Sequence, residues 1–323
     1  MRTLFIGAYG FGNLGDETCL MEALGFFDSK EKWVRTVSKE YTSKFVTCDG
    51  FIDWDPARPD KNFKVPFERV VLGGGGLLNC APGADYMHWI IAAQRSGAKT
   101  YIHNVGASEN LDDFNWMTDE IKKAFEKLDG FSARDEYSIG RLKGCGIKKE
   151  ISLVKFPEKN IQKDMSLAAL LPKGNILGIS VTNEEVLWKA LIKNNNLIKE
   201  FINQYRGYKI LPIISVVHLF SQTENDIEAF KKFHEMFLKD FEILLPKTLD
   251  KEWWHENMSP QRLKGLISSC DTLLSRRKHN CVHGISSGVK TVGISLPENL
   301  GTATVFESLK DELPEGSGLI TLN

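Results

Sequence analysis

The feature that most constrains the fold of this chain is a repeated alternation of short β-rich runs with longer helical patterns. Such alternation indicates an open α/β sheet with mainly parallel strands, because each parallel connection needs a crossover that is usually a helix. In the first half, strands are predicted at residues 3–8, 33–38, 69–72, 99–104, 130–133 and 151–155, and helices at 14–27, 85–97, 112–128 and 135–144. Residues 49–66 contain three prolines and predict a long loop.

A second series of the same kind follows residue 157. It predicts strands at 176–180, 208–215, 241–245, 272–275 and 291–295, and helices at 184–205, 222–238, 260–268 and 278–287. We therefore expect two doubly wound domains, residues 1–156 and 157–323, joined by a linker near 157–173. The tail after Pro297 predicts one more helix at 302–309, which we expect to pack back on the first domain. Ligands of such sheets bind beyond the carboxyl ends of the strands, so a cleft between the domains is the default site.

Composition excludes several classes of protein. A chain of 323 residues is too long for one ordinary core, which agrees with two domains. The formal charge of -1 excludes a nucleic-acid partner held by overall charge. The six cysteines are scattered without a C-x-x-C pair, which favours reduced thiols in a cytoplasmic protein over a disulfide or zinc framework. The N-terminal run reaches Gly7 too soon for a signal peptide, and the longest apolar run is about half a membrane span.

The loop after the first predicted strand satisfies G-x-G-x-x-G from Gly10 to Gly15, the pattern of dinucleotide-binding loops. The remainder of that fingerprint is missing, because the second strand does not end on an acidic residue and Asp16 would repel a pyrophosphate. Two other interpretations stay open. The glycines could permit a tight turn with a helix cap by Asn13 or Asp16, or the loop could hydrogen-bond a polyhydroxylated substrate.

Four glycines, Gly73 to Gly76, follow the strand at 69–72. They would either let backbone N–H groups approach a ligand or let the strand pass close to a neighbouring helix. Asn79 beyond them is a candidate polar contact.

Arg277, Lys278 and His279 stand where a predicted strand gives way to a helix. A helix N-terminus with a forked cation binds phosphate or carboxylate groups, although a solvated cationic helix start would have the same sequence. His283, one turn later, would form a zinc pair with His279, pack in the core or orient His279.

Three further segments each allow two interpretations. His218, with Asp226 after it, either lines a site or ends a strand. Arg134 and Asp135 form either a salt-bridged strand end or part of a site. Trp253 and Trp254 either offer a platform for a sugar ring or cover the edge of a core.

Five segments together resemble the polysaccharide pyruvyl transferase family. They are Gly10-x-Gly12-Asn13-Leu14-Gly15-Asp16-Glu17, Val70-Val71-Leu72 with the four glycines, Ser132 to Ser138, His218-Leu219-Phe220 with Asp226, and Ser275 to His279 with Gly288-Val289. The resemblance implies two Rossmann-like domains facing a cleft, as in GT-B glycosyltransferases. It also implies transfer of a pyruvyl group from phosphoenolpyruvate to a sugar of a polysaccharide or lipid-linked glycan, which forms a cyclic ketal and releases phosphate.

The resemblance also assigns roles to residues. Arg277 and His279 fall on the R-x-H motif of the donor site, and we expect His279 to act as the acid and Asp16 as the base or hydroxyl anchor. The other residues expected to contact the donor are Arg276, Lys278, His218 and Asn183. Those expected to contact the acceptor are Gly12, Asn13, Gly74, Gly75 and Asn79. No metal or redox cofactor is required, since phosphoenolpyruvate is a co-substrate. The enzyme would be cytoplasmic, and a lipid-linked acceptor would bring it to the inner face of the membrane.

Two departures from the family pattern keep alternatives open. Val181-Thr182-Asn183 stands where many members have an arginine for phosphoenolpyruvate, so Arg276 or Lys278 would supply that charge. The Asp-Pro often found after the last strand of the first domain is Phe156-Pro157 here. A GT-B glycosyltransferase using a nucleotide sugar, a nicotinamide-dependent oxidoreductase and a non-catalytic glycan-binding protein are the alternatives.

Overall fold

The protein is a chain of two compact units, each built on one parallel β-sheet. A computed structural model describes residues 1–54, 59, 64–78, 82–107 and 115–323. The first unit comprises residues 1–11 and 16–158, and the second comprises residues 12–15 and 159–323. The predicted α/β class with parallel sheets is therefore confirmed.

The first unit contains a seven-stranded sheet in the order β3-β2-β1-β4-β5-β6-β7 with parallel neighbours throughout. Its strands are β1 (Arg2–Ile6), β2 (Glu31–Thr36), β3 (Gly50–Asp53), β4 (Arg69–Leu78), β5 (Lys99–Ala107), β6 (Gly130–Ala133) and β7 (Ser152–Leu153). Leu4, Phe5 and Ile6 are fully buried. Continuous burial along β1 is expected for a strand that is covered on both faces of a parallel sheet.

The described residues between these strands form five helices: α1 (Leu14–Phe26), α2 (Lys39–Thr42), α3 (Pro82–Arg95), α4 (Asp119–Glu126) and α5 (Glu136–Gly144). Local capping explains where several of them begin. Asp135 accepts a hydrogen bond from the Ser138 N–H at 2.6 Å and starts α5, and Thr118 starts α4 in the same way. The Asp135 cap places the start of α5 just beyond the carboxyl end of β6.

The second unit contains a five-stranded parallel sheet in the order β12-β11-β10-β8-β9. Its strands are β8 (Ile176–Ser180), β9 (Lys209–Pro212), β10 (Thr272–Ser275), β11 (Lys290–Ser295) and β12 (Gly318–Thr321). Its helices are α6 (Glu185–Lys193), α7 (Asn195–Asn203), α8 (Asp226–Phe233), α9 (Lys251–Asn257), α10 (Pro260–Ile267), α11 (Lys278–Ser286) and α12 (Gly301–Ser308). No helix in the described part of the chain is long and apolar enough to cross a bilayer.

In the first half, three predictions differ in detail from the structure. Part of the stretch predicted as a loop at 49–66 forms β3, which pairs with β2 despite the nearby prolines. The four glycines lie inside β4 and not after it, because the strand continues through them to pair with β5. The predicted helix at 112–128 begins at Asp119, and its first residues lie outside the described part of the chain.

In the second half, the predicted strand at 241–245 forms only an isolated bridge between Ile210 and Ile243, and Leu245 turns into the left-handed region with φ 45°. The predicted helix at 184–205 is two helices that meet at Asn194. The tail contributes β12 to the edge of the second sheet, a strand that the sequence analysis did not predict. Trp254 is fully buried and donates its indole N–H to the Ile214 carbonyl at 3.0 Å, as a core residue would.

Candidate active site

The centre of the candidate site in the second unit is an ion pair between Arg277 and Asp226. Arg277 Nε and Nη2 both donate to Asp226 Oδ1, at 3.1 and 2.6 Å. The carboxylate is 1% exposed, whereas the guanidinium side chain is 23% exposed. Burial acts to lower the pKa of Arg277, but the charge and hydrogen bonds of Asp226 outweigh it and raise the pKa. The arginine is therefore a fixed, permanently charged group with part of its surface open.

Asp226 is itself held by the chain segment that follows β9. Its Oδ2 accepts hydrogen bonds from the Ser215 N–H at 3.2 Å, the Ser215 hydroxyl at 3.2 Å and the Val216 N–H at 3.0 Å. Asn225 caps α8 by accepting from the Ile227 N–H at 3.0 Å, which places Asp226 in the first turn of the helix. A carboxylate that accepts this many hydrogen bonds is held in one orientation.

Asn280, in the first turn of α11, ties this arrangement to β8. Its side-chain amide donates to the Ser180 hydroxyl at 2.7 Å and to the Ser215 hydroxyl at 3.1 Å, and the residue is fully buried. Ser215 thus contacts both Asn280 and Asp226. A connected polar network of this kind restricts the rotamers of its members, so the start of α11 and the Arg277 guanidinium are positioned together.

Arg276 and Lys278 point to other elements of the second unit. Arg276 Nη1 donates to the Thr302 hydroxyl at 3.1 Å, and Nη2 donates to Glu184 Oε2 at 3.1 Å. The Arg276 guanidinium therefore reaches the loop between β8 and α6. The Lys278 side chain occupies the space in front of Gly301, where a β-carbon would overlap its Cε and Nζ atoms. Its ammonium therefore lies at the start of α12.

Residues 12–15 belong to the second unit, although the last two of them are the first residues of α1 and the rest of that helix belongs to the first unit. They pair antiparallel with the segment after β9: Leu14 N–H donates to the Ser215 carbonyl and Val217 N–H donates to the Gly12 carbonyl, each at 3.0 Å. Gly12 has φ 92°, and a β-carbon there would overlap the Val217 carbonyl oxygen. Only glycine allows the two segments to approach so closely.

His279 packs against this glycine-containing segment. A β-carbon on Gly15 would overlap the Nδ1 atom of the His279 ring, so the imidazole occupies the space that a side chain at position 15 would fill. Asn13 forms an Asx turn by accepting the Gly15 N–H at 3.0 Å. The second unit therefore holds the R-x-H segment and the Asn13 turn next to each other.

His218 closes a turn near the same segment. Its Nδ1 accepts hydrogen bonds from the Phe220 N–H at 3.0 Å and the Ser221 N–H at 2.9 Å. Because Nδ1 accepts from two backbone donors, the neutral ring carries its proton on Nε2. The Nδ1 atom of His218 is therefore committed to this turn.

In the first unit, Asp16 lies beside the glycine-rich part of β4. A β-carbon on Gly75 would come within 2.8 Å of Asp16 Oδ1, and one on Gly74 would overlap the Cys19 side chain. Tyr9 donates its hydroxyl to the Gly73 carbonyl at 2.6 Å. The glycines thus let α1 pack closely on β4, as in the interpretation in which the strand passes close to a neighbouring helix. Gly75 also allows Asp16 to lie against the strand.

Glu17 is a second acidic group at this helix start, and the sequence analysis gave it no role. It is fully buried, and its Oε1 accepts the Gly10 N–H at 2.7 Å. Burial raises the pKa of Glu17 to about 8, assisted by the negative charge of Asp16 and opposed by the Gly10 N–H. The side chain is therefore mainly protonated at neutral pH, and it holds the first turn of the loop after β1.

The residues expected to bind the donor or the acceptor are divided between the two units. Arg276, Arg277, Lys278, His279 and His218 are all in the second unit, as are the expected acceptor residues Gly12 and Asn13. Asn183 is also there, but its side-chain carbonyl accepts from Trp188 Nε1 at 3.3 Å. Asp16, Gly74 and Gly75 are in the first unit, and Asn79 lies outside the described residues.

Two other predictions can be compared with the structure. His283 is fully buried, burial lowers its pKa to about 3, and within the described residues neither ring nitrogen has a hydrogen-bond partner. It is therefore a core residue, and we see no hydrogen bond by which it would orient His279. Asn280 and Ser215 were missed because a buried asparagine and a serine carry no distinctive sequence pattern.

The fold and these sites define an α/β protein of the GT-B-like class. The structure resembles UDP-GlcNAc 2-epimerase from Methanocaldococcus jannaschii, with a TM-score of 0.57, 12% identity and coverage of 100% of this chain and 89% of that one. It also resembles UDP-GlcNAc 2-epimerase from Neisseria meningitidis bound to UDP-GlcNAc, with a TM-score of 0.52, 12% identity and coverage of 96% and 91%. At these identities the likeness concerns the fold alone.

The sequence places the chain more narrowly. The profile of the polysaccharide pyruvyl transferase family matches residues 34–297, which is more than half of the chain. The protein therefore belongs to the polysaccharide pyruvyl transferase family. No curated protein matches it in sequence.

Proposed function

We propose that the protein transfers a pyruvyl group from phosphoenolpyruvate to two hydroxyls of a sugar, forming a cyclic ketal and releasing phosphate. The observation that carries this proposal is the geometry of Arg277, whose guanidinium is fixed by Asp226 and is still 23% exposed. It stands two residues before His279, at the start of α11. A guanidinium binds the carboxylate or phosphate of a small donor through parallel N–H groups.

The charges around Arg277 indicate which groups neutralise the negative charge of the donor. Arg277 is paired with Asp226 and Arg276 with Glu184, so neither arginine adds a full net charge to the site. Phosphoenolpyruvate carries a phosphate and a carboxylate, so it needs further positive charge. We assign that charge to Lys278 and to His279 in its protonated form, with the Nε2–H of His218 as a hydrogen-bond donor.

The reaction then follows from the donor's chemistry. His279 protonates the methylene carbon, C2 becomes electrophilic, and a sugar hydroxyl adds to it. The C2–O bond to phosphate breaks and a second hydroxyl closes the ring. Of the two hydroxyl protons released overall, one is balanced by the proton in the new methyl group and the other is taken up by phosphate. Asp16 is the proposed base, and Gly12, Asn13, Gly74 and Gly75 are proposed acceptor contacts.

The acceptor belongs to a polysaccharide or to a lipid-linked precursor of one. Phosphoenolpyruvate is an intracellular metabolite, so the proposal places the enzyme in the cytoplasm. A lipid-linked acceptor would bring it to the inner face of the membrane. A pelleting assay with vesicles that carry such an acceptor would test this part of the proposal separately.

The proposal is tested by acceptor-dependent phosphate release from phosphoenolpyruvate with methyl glycosides of galactose, glucose and mannose. Mass spectrometry of the glycoside then detects the ketal. Arg277→Ala and His279→Ala should each lose at least a hundredfold in rate. Arg206→Ala and His234→Ala change the same residue types elsewhere in the second unit and should keep the wild-type rate. Equal rates in all four variants would contradict the assignment.

A further inference from the structure

The first unit contains a buried polar cluster to which the proposed reaction assigns no role. It consists of Asn104 in β5, Arg134 just after β6, and Glu158 at the end of the unit. Asn104 is fully buried, Arg134 is 3% exposed and Glu158 is 1% exposed. Buried polar groups are costly unless each is hydrogen-bonded, so a cluster of them at strand ends calls for a physical explanation.

Asn104 interrupts the regular pairing of β5. It has φ 53°, in the left-handed region, and the register between β5 and β6 shifts between Ile102 and Val105. Its N–H donates to the Ser132 hydroxyl at 3.0 Å, and its Nδ2 donates to Glu158 Oε2 at 2.9 Å. Asparagine tolerates this conformation better than most residues, and such backbone positions are concentrated at ligand sites.

Glu158 provides the carboxylate of the cluster. Its Oε2 accepts the hydrogen bond from Asn104 Nδ2 at 2.9 Å, which ties the carboxylate to β5. Burial raises the pKa of Glu158, while the Asn104 hydrogen bond and the Arg134 charge oppose that shift.

Arg134 supplies the cation of the cluster. Its guanidinium covers Gly106, where a β-carbon would lie 2.5 Å from Nη2. Its Nε forms an ion pair with Asp135 Oδ2 at 3.6 Å, as in the salt-bridged strand end considered from the sequence, but this distance is too long for a hydrogen bond. Within the described residues, Arg134 Nε and Asn104 Oδ1 have no hydrogen-bond partner. One is a donor, the other is an acceptor, and both are more than nine-tenths buried.

We infer that Asn104, Arg134 and Glu158 form a binding site for the hydroxyl groups of a sugar. A hydroxyl both donates and accepts, so it can donate to Asn104 Oδ1 or Glu158 and accept from Arg134 Nε. Asn104 lies in β5, and Arg134 directly follows the adjacent strand β6 and donates its N–H to the Val105 carbonyl at 3.1 Å. The two side chains therefore start from neighbouring segments, which are close enough for hydroxyls of one sugar ring to contact both. The inference rests on the proposed function, since it identifies these hydroxyls with those of the acceptor.

The test measures sugar binding and donor binding separately. Saturation-transfer NMR with methyl β-galactoside, methyl β-glucoside and methyl β-mannoside reports sugar binding, and thermal shift with phosphoenolpyruvate reports donor binding. Asn104→Gly removes the amide and keeps the left-handed backbone accessible. Glu158→Gln keeps the shape and removes the charge, and Glu150→Gln, on an exposed residue, is the matched control.

We expect the wild type and Glu150→Gln to bind at least one glycoside, and Asn104→Gly and Glu158→Gln to bind it at least tenfold more weakly. All four proteins should keep the same thermal shift with phosphoenolpyruvate. If the wild type binds none of the glycosides, or if Asn104→Gly and Glu158→Gln bind as tightly as the control, the inference is overturned. If glycosides bind in the expected order but phosphoenolpyruvate gives no shift, the sugar site stands and the donor assignment fails.

Discussion

Arg277 and Asp226 form an ion pair in which one carboxylate oxygen accepts both Nε and Nη2 of the guanidinium, at 3.1 and 2.6 Å. The sequence separates the two residues by 51 positions, and the pair joins the start of α8 to the start of α11. Asp226 thereby sets the direction of the guanidinium. Removing the carboxylate should affect both stability and donor binding.

Asp226→Asn should lower the free energy of unfolding by roughly 2–4 kcal/mol, because it leaves the largely buried Arg277 charge without its partner. Urea denaturation at pH 7 measures this change. Arg277→Gln should cost less, since Asp226 keeps its hydrogen bonds to Ser215 and Val216. The double variant should cost clearly less than the sum of the two, and strict additivity would show that the pair contributes nothing.

Glu17 should make stability depend on pH. Its pKa is raised from about 4.5 to about 8 in the folded protein, so its contribution is fully present below about pH 4.5 and is lost as the pH rises through 8. The whole effect is at most about 5 kcal/mol. Glu17→Gln should lose this part of the pH dependence and should be the more stable protein at pH 9.

Urea denaturation at pH 5, 7 and 9 tests the role of Glu17. Glu235→Gln, on an exposed side chain, is the matched control and should keep the wild-type pH profile. A profile of Glu17→Gln that parallels the wild type over this range would mean that Glu17 is ionised in the folded protein.

Substitutions of Gly74 and Gly97 distinguish the cost of a strained backbone conformation from the cost of steric overlap by a side chain. Both have positive φ, 59° and 80°, but a β-carbon on Gly74 would overlap Cys19, whereas one on Gly97 would meet no described atom within 4 Å. Gly97→Ala should therefore cost only about 1 kcal/mol for its backbone conformation. Gly74→Ala should cost at least about 2 kcal/mol more, measured by urea denaturation. Equal costs would show that α1 can move away from β4.

Lys278 should contribute to donor affinity, because it is the cation between Arg277 and His279 at the start of α11, the segment proposed to bind the donor. Lys278→Ala should weaken phosphoenolpyruvate binding by roughly tenfold or more in isothermal titration calorimetry. Lys189→Ala removes an equally charged but exposed side chain and is the control. An unchanged dissociation constant for Lys278→Ala would remove this residue from the donor site.

The architecture could be predicted from the sequence because the apolar strands are short and regularly spaced. β8 and β10 match their predicted bounds, since each is a compact apolar run that ends at a polar residue. Phe241 to Leu245 is also a short, mainly apolar run, but it forms only one bridge to β9. A π-helical segment at residues 234–238 precedes it and a left-handed residue, Leu245, ends it, and local propensity predicts neither.

The candidate site was predicted in part. The motif around Arg277 identified the charged residues, but their partners come from distant positions: Asp226 for Arg277, and Glu184 with Thr302 for Arg276. The assignment of Gly12 to the second unit could not be predicted either, because it depends on antiparallel pairing with the segment after β9. Such contacts are set by tertiary packing and leave no periodic signal.

The measurement that tests the central proposal most directly is NMR of the product formed from phosphoenolpyruvate labelled with ¹³C at C2 and C3, in D₂O with a methyl glycoside that the enzyme accepts. Pyruvyl transfer predicts that C2 becomes a ketal carbon bonded to two sugar oxygens and that C3 becomes a methyl group with one deuterium. Arg277→Ala should form this product at least a hundredfold more slowly. A C3 that remains a methylene group, or a label that appears only in free pyruvate, would contradict the account.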